Sequence, residues 1–173
     1  MKKNNIAFTF ATAEVSPIGQ VFIKIMELLT GKLKLKKLYD EYLSENRPPQ
    51  YFWDDAVNKL KFTLNTNYQN GSHIPKKGRL IIIANHAFGV ADGVSICSVL
   101  SKVRNDYKMV THKVLRQADA VKDKILPIDF NETKDALLAN IYTRKEAEKV
   151  LKNDGVLVLF PSGRISTKKN LKK

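Results

Sequence analysis

The chain has 173 residues, 43% hydrophobic and 27% charged, enough apolar material for the core of one compact domain and too much for a disordered chain. Lysine and arginine total 30 against 17 aspartates and glutamates, and the net charge of +13 argues for anionic company: nucleic acid, phospholipid headgroups or phosphate-bearing cosubstrates. A single cysteine excludes an internal disulfide and any four-cysteine metal site, and it fits a reduced, cytosolic compartment.

Met1 to Asn5 is basic and Ile6 to Ala13 moderately apolar, but threonines interrupt the apolar part and Glu14 follows without a cleavage site, so a secretory signal is rejected. No apolar run is long enough to span a bilayer, and any membrane contact is expected to be peripheral. Ser16-Pro17 has the form of a helix start, and Ile18, Val21, Phe22, Ile25, Met26 and Leu29 recur at helical spacing. Beyond Gly31, Lys32, Lys34, Lys36 and Lys37 interleave with Leu33, Leu35 and Leu38. Such a basic amphipathic segment either lies in a lipid interface or packs its apolar face on the core, and amphipathicity alone does not separate the two.

Arg47-Pro48-Pro49 marks a loop, and Trp53, Ala56, Val57 and Leu60 predict a short core-facing helix. Leu60, Phe62 and Leu64 alternate with polar residues and predict a strand. Leu80-Ile81-Ile82-Ile83-Ala84 is a continuous run expected of a strand buried on both faces. A helix is expected over Val94 to Leu100, then strands over Tyr107 to His112 and Ile125 to Phe130. Leu137, Leu138, Ile141 and Tyr142 suggest a helix, and Thr143 to Glu146 has capping-box spacing for another, ended by Asn153-Asp154-Gly155. Val156 to Phe160 predicts a last buried strand. Strands alternating with helices predict an α/β fold, a mostly parallel sheet flanked by helices, preceded by an N-terminal helical segment. Residues 1–70 are assigned to that amphipathic, basic region and 71–173 to the core.

Two loops are candidates for chemistry. Asn85-His86-Ala87-Phe88-Gly89-Val90-Ala91-Asp92-Gly93 follows the first buried strand, where α/β proteins place ligands. A turn of this length can fold the Asp92 carboxylate onto the His86 imidazole, fixing its tautomer for proton abstraction from a hydroxyl. A lone turn histidine and a helix-capping aspartate produce the same spacing. Phe160-Pro161-Ser162-Gly163-Arg164 follows the last strand, and its backbone N–H groups with Arg164 can hold a phosphate or carboxylate. An ordinary strand-ending turn is the alternative, but both loops are expected at one rim. Cys97 falls on an apolar helix face and reads as a structural thiol, Ser162 is not in a nucleophile elbow, and His73, His86 and His112 lack metal-ligand spacing. His112-Lys113 can line the same rim, but capping or solvent exposure is the simpler expectation.

Asn85-His86 with Asp92, and Phe160-Pro161-Ser162-Gly163 downstream, resemble the glycerolipid (lysophospholipid) acyltransferase family, specifically its hemolysin-like and ornithine-lipid-forming branch. Leu29-Thr30-Gly31, Phe52-Trp53-Asp54, Ile74-Pro75 and Leu126 to Phe130 share the likeness. The broad family usually has four residues between histidine and aspartate; this chain has five, as that branch does. The resemblance implies His86 as general base and Asp92 as its orienting partner. It implies Phe160, Pro161, Ser162 and Gly163 as the block that binds the acceptor headgroup, with Ser162 where the wider family has glutamate; Asn85, Gly89 and Arg164 complete the expected substrate-binding residues, Arg164 on its charge and not on a matching family residue. It implies transfer of a fatty acyl group from acyl-CoA or acyl carrier protein, as cosubstrate, to a lysolipid hydroxyl on a lysophospholipid or lyso-ornithine lipid, with no metal or other cofactor. Partners would be the lysolipid, the acyl donor and an anionic membrane surface on the cytoplasmic side, with no nucleic acid. Family members continue well past the Phe160 block, so the resemblance also implies a chain truncated at Lys173. An inactive membrane-binding fragment and a basic nucleic-acid module are the rival readings.

Overall fold

The computed structural model describes residues 32–66 and 73–162, with side chains described from residue 36 onward. The expected helix over Ser16 to Leu29, and Gly163 and Arg164 of the second loop, lie outside the described residues. The elements run α1 (Lys32–Ser44), α2 (Phe52–Leu60), β1 (Leu80–Ile83), α3 (Val90–Ser101), β2 (Tyr107–His112), β3 (Ile125–Ile128), α4 (Lys134–Lys152) and β4 (Val156–Leu159). All strand pairings are parallel, in the order β1-β4-β2-β3, which is the α/β architecture expected from the alternation of strand and helix patterns. The register sets Ile83 beside Leu159, Tyr107 beside Val156 and His112 beside Ile128.

Alternate strand positions face two different layers. On one side Leu80, Ile82, Tyr107, Met109, Ile125, Val156 and Val158 join Trp53 of α2 and Val94, Cys97 and Leu100 of α3 in one core. The Trp53 indole N–H donates to the Tyr107 hydroxyl at 2.6 Å, and Ser98 donates to the Asp54 carboxylate at 2.5 Å, so the residues before the sheet are tied into its core. α4 lies against β3, β4 and β2 on the opposite side. β1 contributes Ile81 and Ile83 to that second side, and they stay 48% and 67% exposed. β1 is therefore an edge strand with one covered face, not the doubly buried strand its continuous apolar run suggests. At the other edge, β3 accommodates Pro127, a residue without an N–H to donate.

Two local expectations are corrected. Leu60 to Leu64 forms no strand: the helix runs to Leu60, and Lys61 ends it in the left-handed conformation at φ 58°. Phe62 still packs on the core, so the alternation reflects an extended segment lying on apolar neighbours without a ladder partner among the described residues. The region after Lys134 is one helix, not two. Thr133 is its cap, accepting from the Ala136 N–H at 3.1 Å, whereas Thr143 is buried mid-helix and donates to the Pro127 carbonyl at 2.6 Å. A capping-box spacing is thus satisfied by a tertiary contact instead.

At the amino end of the sheet the buried Arg104 side chain closes several loops at once. Its guanidinium donates to the carbonyls of Pro75 at 3.2 Å, Gly78 at 2.6 Å and Asp154 at 2.7 Å, and forks onto the Asp106 carboxylate at 2.9 and 2.5 Å. Gly155 sits in the same junction. A Cβ there would lie 2.8 Å from Val150 Cγ1 and about as close to the Val150 and Asp106 carbonyl oxygens, so only glycine fits. Arg104 also holds the Asp106 carboxyl below its ordinary range. A depressed carboxyl contributes stability above its unfolded value of about 3.9, and that contribution is lost as pH falls through the lower folded value. Arg104→Ala strands three carbonyls and is expected to cost about 3 kcal/mol in urea unfolding and to unfold at a higher pH on acid titration. Arg104→Lys, whose single ammonium cannot span the same acceptors, should recover only a minor part.

Candidate active site

The carboxyl end of β1 leads directly into the first candidate loop. The β1–β4 pairing continues one residue past the strand, with Ala84 N–H donating to Leu159 O at 3.2 Å. His86 and Phe160 therefore leave adjacent strands side by side. Their rings stack at 4.5 Å between centroids with planes 32° apart. No spacing in the sequence announces this contact, because it depends on β4 entering the sheet next to β1.

Gly89 turns the loop at φ 63° and ψ −118°, a backbone state that favours glycine, and caps α3. Asp92 falls in the first turn of α3, and its Oδ2 accepts the Phe88 N–H at 2.9 Å, a carboxylate reaching back over the helix start. The same oxygen lies 3.3 Å from His86 Nδ1, with the two side chains 21% and 17% exposed. Asp92 thus both holds the loop before the Gly89 cap and faces the imidazole. The separation is that of an ion pair, but the ring N–H is not aligned for a hydrogen bond, and Nδ1 is buried without one.

The remaining expected residues surround this pair unequally. Asn85, Pro161 and Ser162 are exposed around it, Gly89 is buried beneath the turn, and Phe88 projects into solvent at 80% exposure. Cys97 is fully buried, and burial pushes its thiol up to about 12, which fits a structural role. Among the described residues no three histidine, cysteine, aspartate or glutamate side chains converge as a metal site. A concavity of about 220 Å³ beside Tyr42, Arg47 and Asp119 contains none of the residues of the two loops.

The same rim continues across β2 and β3. His112 ends β2 and caps the following turn, Nδ1 accepting the Val114 N–H at 3.1 Å, while its ring stacks on Phe130 at 5.6 Å. Lys113 pairs with Asp129 at 2.6 Å. His112 therefore caps the turn from its place at the end of β2.

The profile of the Acyltransferase family matches residues 65–173. The chain belongs to the Acyltransferase family. No curated protein and no solved structure matched it. As a member, this acyltransferase is a transferase that moves acyl groups, and its four-stranded parallel sheet with flanking helices is consistent with that domain. The match takes in the whole sheet and both loops, whereas α1 and α2 precede it.

Burial lowers the His112 pKa, the Lys113 charge adds to that, and Asp129 opposes it. A depressed histidine contributes stability above its unfolded value of about 6.5 and loses it as pH falls toward the folded value. Urea midpoints of the acyltransferase should therefore decline below about pH 6.5. His112→Asn, which retains an acceptor for the Val114 N–H, should flatten that decline.

Proposed function

We propose that this acyltransferase moves a fatty acyl group from a thioester donor, acyl-CoA or acyl carrier protein, to the hydroxyl of a lysolipid. The observation that carries the reading is the approach of the His86 imidazole to the Asp92 carboxylate at the sheet rim, 3.3 Å apart. Asp92 holds the Nδ1 proton and leaves Nε2 as the acceptor. Nε2 takes the proton from the lysolipid hydroxyl while that oxygen attacks the thioester carbonyl. The tetrahedral intermediate collapses with cleavage of the C–S bond, and the imidazolium returns its proton to the departing thiolate. No acyl-enzyme forms, and no metal or other cofactor is required. Backbone N–H groups near Gly89 or Gly163 would serve the developing oxyanion. Asn85, Phe160, Pro161, Ser162 and Arg164 would hold the acceptor and donor around the imidazole.

The spacing of five residues between His86 and Asp92 supports the hemolysin-like, ornithine-lipid-forming branch, with a lysophospholipid or lyso-ornithine lipid as acceptor. Among the described residues no helix is long and apolar enough to cross a membrane. A net charge of +13 fits attachment to anionic headgroups on the cytoplasmic face, a force that salt weakens.

His86→Ala is expected to lower acyl transfer by about 100-fold or more with the circular-dichroism spectrum unchanged. Asp92→Asn should fall in the same direction with KM nearly unaltered, because the loss lies in the proton-transfer step. Radiolabelled acyl transfer to lysophosphatidate and to lyso-ornithine lipid checks both, and native-like turnover by His86→Ala would remove the assignment.

A further inference from the structure

Several exposed apolar side chains lie near the carboxyl end of the sheet, apart from Leu43, Tyr51 and Ile81. Phe88 and Val90 stand at the carboxyl end of β1, and Phe130, 55% exposed, stands past the end of β3. The largest group lies on α4, where Leu137, Leu138 and Tyr142 are 61%, 64% and 66% exposed and Ile141 is 44% exposed. The reason is positional. Asn140 exchanges hydrogen bonds with the backbone of Asp129, just past the last residue of β3, and Thr143 reaches back to Pro127 inside the strand. Leu137 and Leu138 therefore project past the level at which α4 meets the end of β3, and Ile141 and Tyr142 lie on the exposed face at that level.

Along the outer face of α4, away from the exposed Glu132 and Asp135 at its start, the charge is one-sided. Lys134, Leu138, Ile141, Lys145, Lys149 and Lys152 recur at spacings of three and four and form a single stripe, every member exposed. That stripe contains no acidic residue. None of its four lysines pairs with an acid among the described residues, and the neighbouring Glu148 is already paired with Arg144 at 3.2 Å. Large apolar groups flanked by unpaired lysines match a bilayer interface bearing negative headgroups, in which apolar side chains enter the acyl boundary and ammonium groups stay with the phosphates.

We infer that the outer face of α4 is a bilayer-docking surface for anionic phospholipid, its amino-terminal end holding the carboxyl rim of the sheet near the membrane. This rests on the acyl-transfer reading in one respect: Phe88 at the same end would then bring His86 to headgroup depth, where a lysolipid presents its hydroxyl.

The test uses the full chain and sedimentation with vesicles of equal parts phosphatidylglycerol and phosphatidylcholine. Leu138→Glu with Ile141→Glu should weaken vesicle binding by about tenfold or more. Lys145→Glu with Lys149→Glu should weaken it by about fivefold per lysine and reduce its salt dependence. Leu43→Glu on α1, at a side chain 46% exposed, should leave binding unchanged. Tyr142→Trp should give blue-shifted emission on vesicle addition, against a constant background from buried Trp53. Thermal melting checks each variant, and should the Leu138/Ile141 pair fail to fold, the lysine pair and Tyr142→Trp decide. Native binding by the α4 variants, equal damage from Leu43→Glu, or an unshifted emission from the Tyr142→Trp variant would overturn the proposal. So would selective loss of transfer from acyl carrier protein with vesicle binding intact, which would make the surface a protein dock. Vesicle binding that depends on α4 in a chain with no acyl transfer would remove the transfer reading and leave the surface standing.

Discussion

One buried guanidinium sets where the strands begin. Arg104 reaches the loop before β1 through Pro75 and Gly78, the entry to β2 through Asp106, and the entry to β4 through Asp154. Each acceptor is a group that the sheet itself leaves unpaired at its amino end, so one planar fork satisfies what separate capping residues would otherwise have to. Val156 N–H donating to Asp106 O and Leu80 N–H donating to Gly155 O extend the same junction into the first rungs of the ladder. Once the starts of three parallel strands are held together, their short lengths bring the ends of β1 and β4 to one level, with β2 and β3 running two residues farther, and the candidate loops leave from the ends of β1 and β4.

The central place of β4 is the second constraint. It is the last strand in the chain and enters between β1 and β2, so Val156 and Val158 become fully buried. That insertion brings the Phe160 ring onto His86 and gives the imidazole an apolar wall on one side, with the Asp92 carboxylate at Nδ1. The environment of the histidine is therefore made by two segments far apart in sequence, joined only when the last strand docks. Because α4 precedes that strand, the helix carrying the exposed apolar stripe is locked to the same event.

Much of this was legible in the residues. The runs at Leu80 and Val156 named two strands, Trp53 to Leu60 named a helix, and Asn153-Asp154-Gly155 named the end of another, since these signals are local. Two readings failed because their signals have more than one physical cause. Phe62 and Leu64 alternate with polar neighbours without pairing in a sheet, and Thr143 has the spacing of a cap but spends its hydroxyl on Pro127. The β1 run looked doubly buried, yet Ile81 and Ile83 remain exposed, because burial depends on whether a helix reaches across the edge. The projection of α4 past the sheet had no sequence signal at all: it follows from the rung at which Asn140 meets Asp129.

The sequence by itself determined the alternation of strand and helix, the basic charge, and the presence of a histidine and an aspartate close enough in the chain to meet. Backbone periodicity and turn chemistry act over a few residues, and such features need no knowledge of neighbours. Only the tertiary structure decided that the histidine and the Phe160 block are adjacent, that Asp92 faces the ring while holding the Phe88 N–H, and that the apolar end of α4 stands clear of the sheet. Strand order and the height of a helix against its sheet are settled by long-range packing, where many weak contacts compete and no single residue pattern records the outcome.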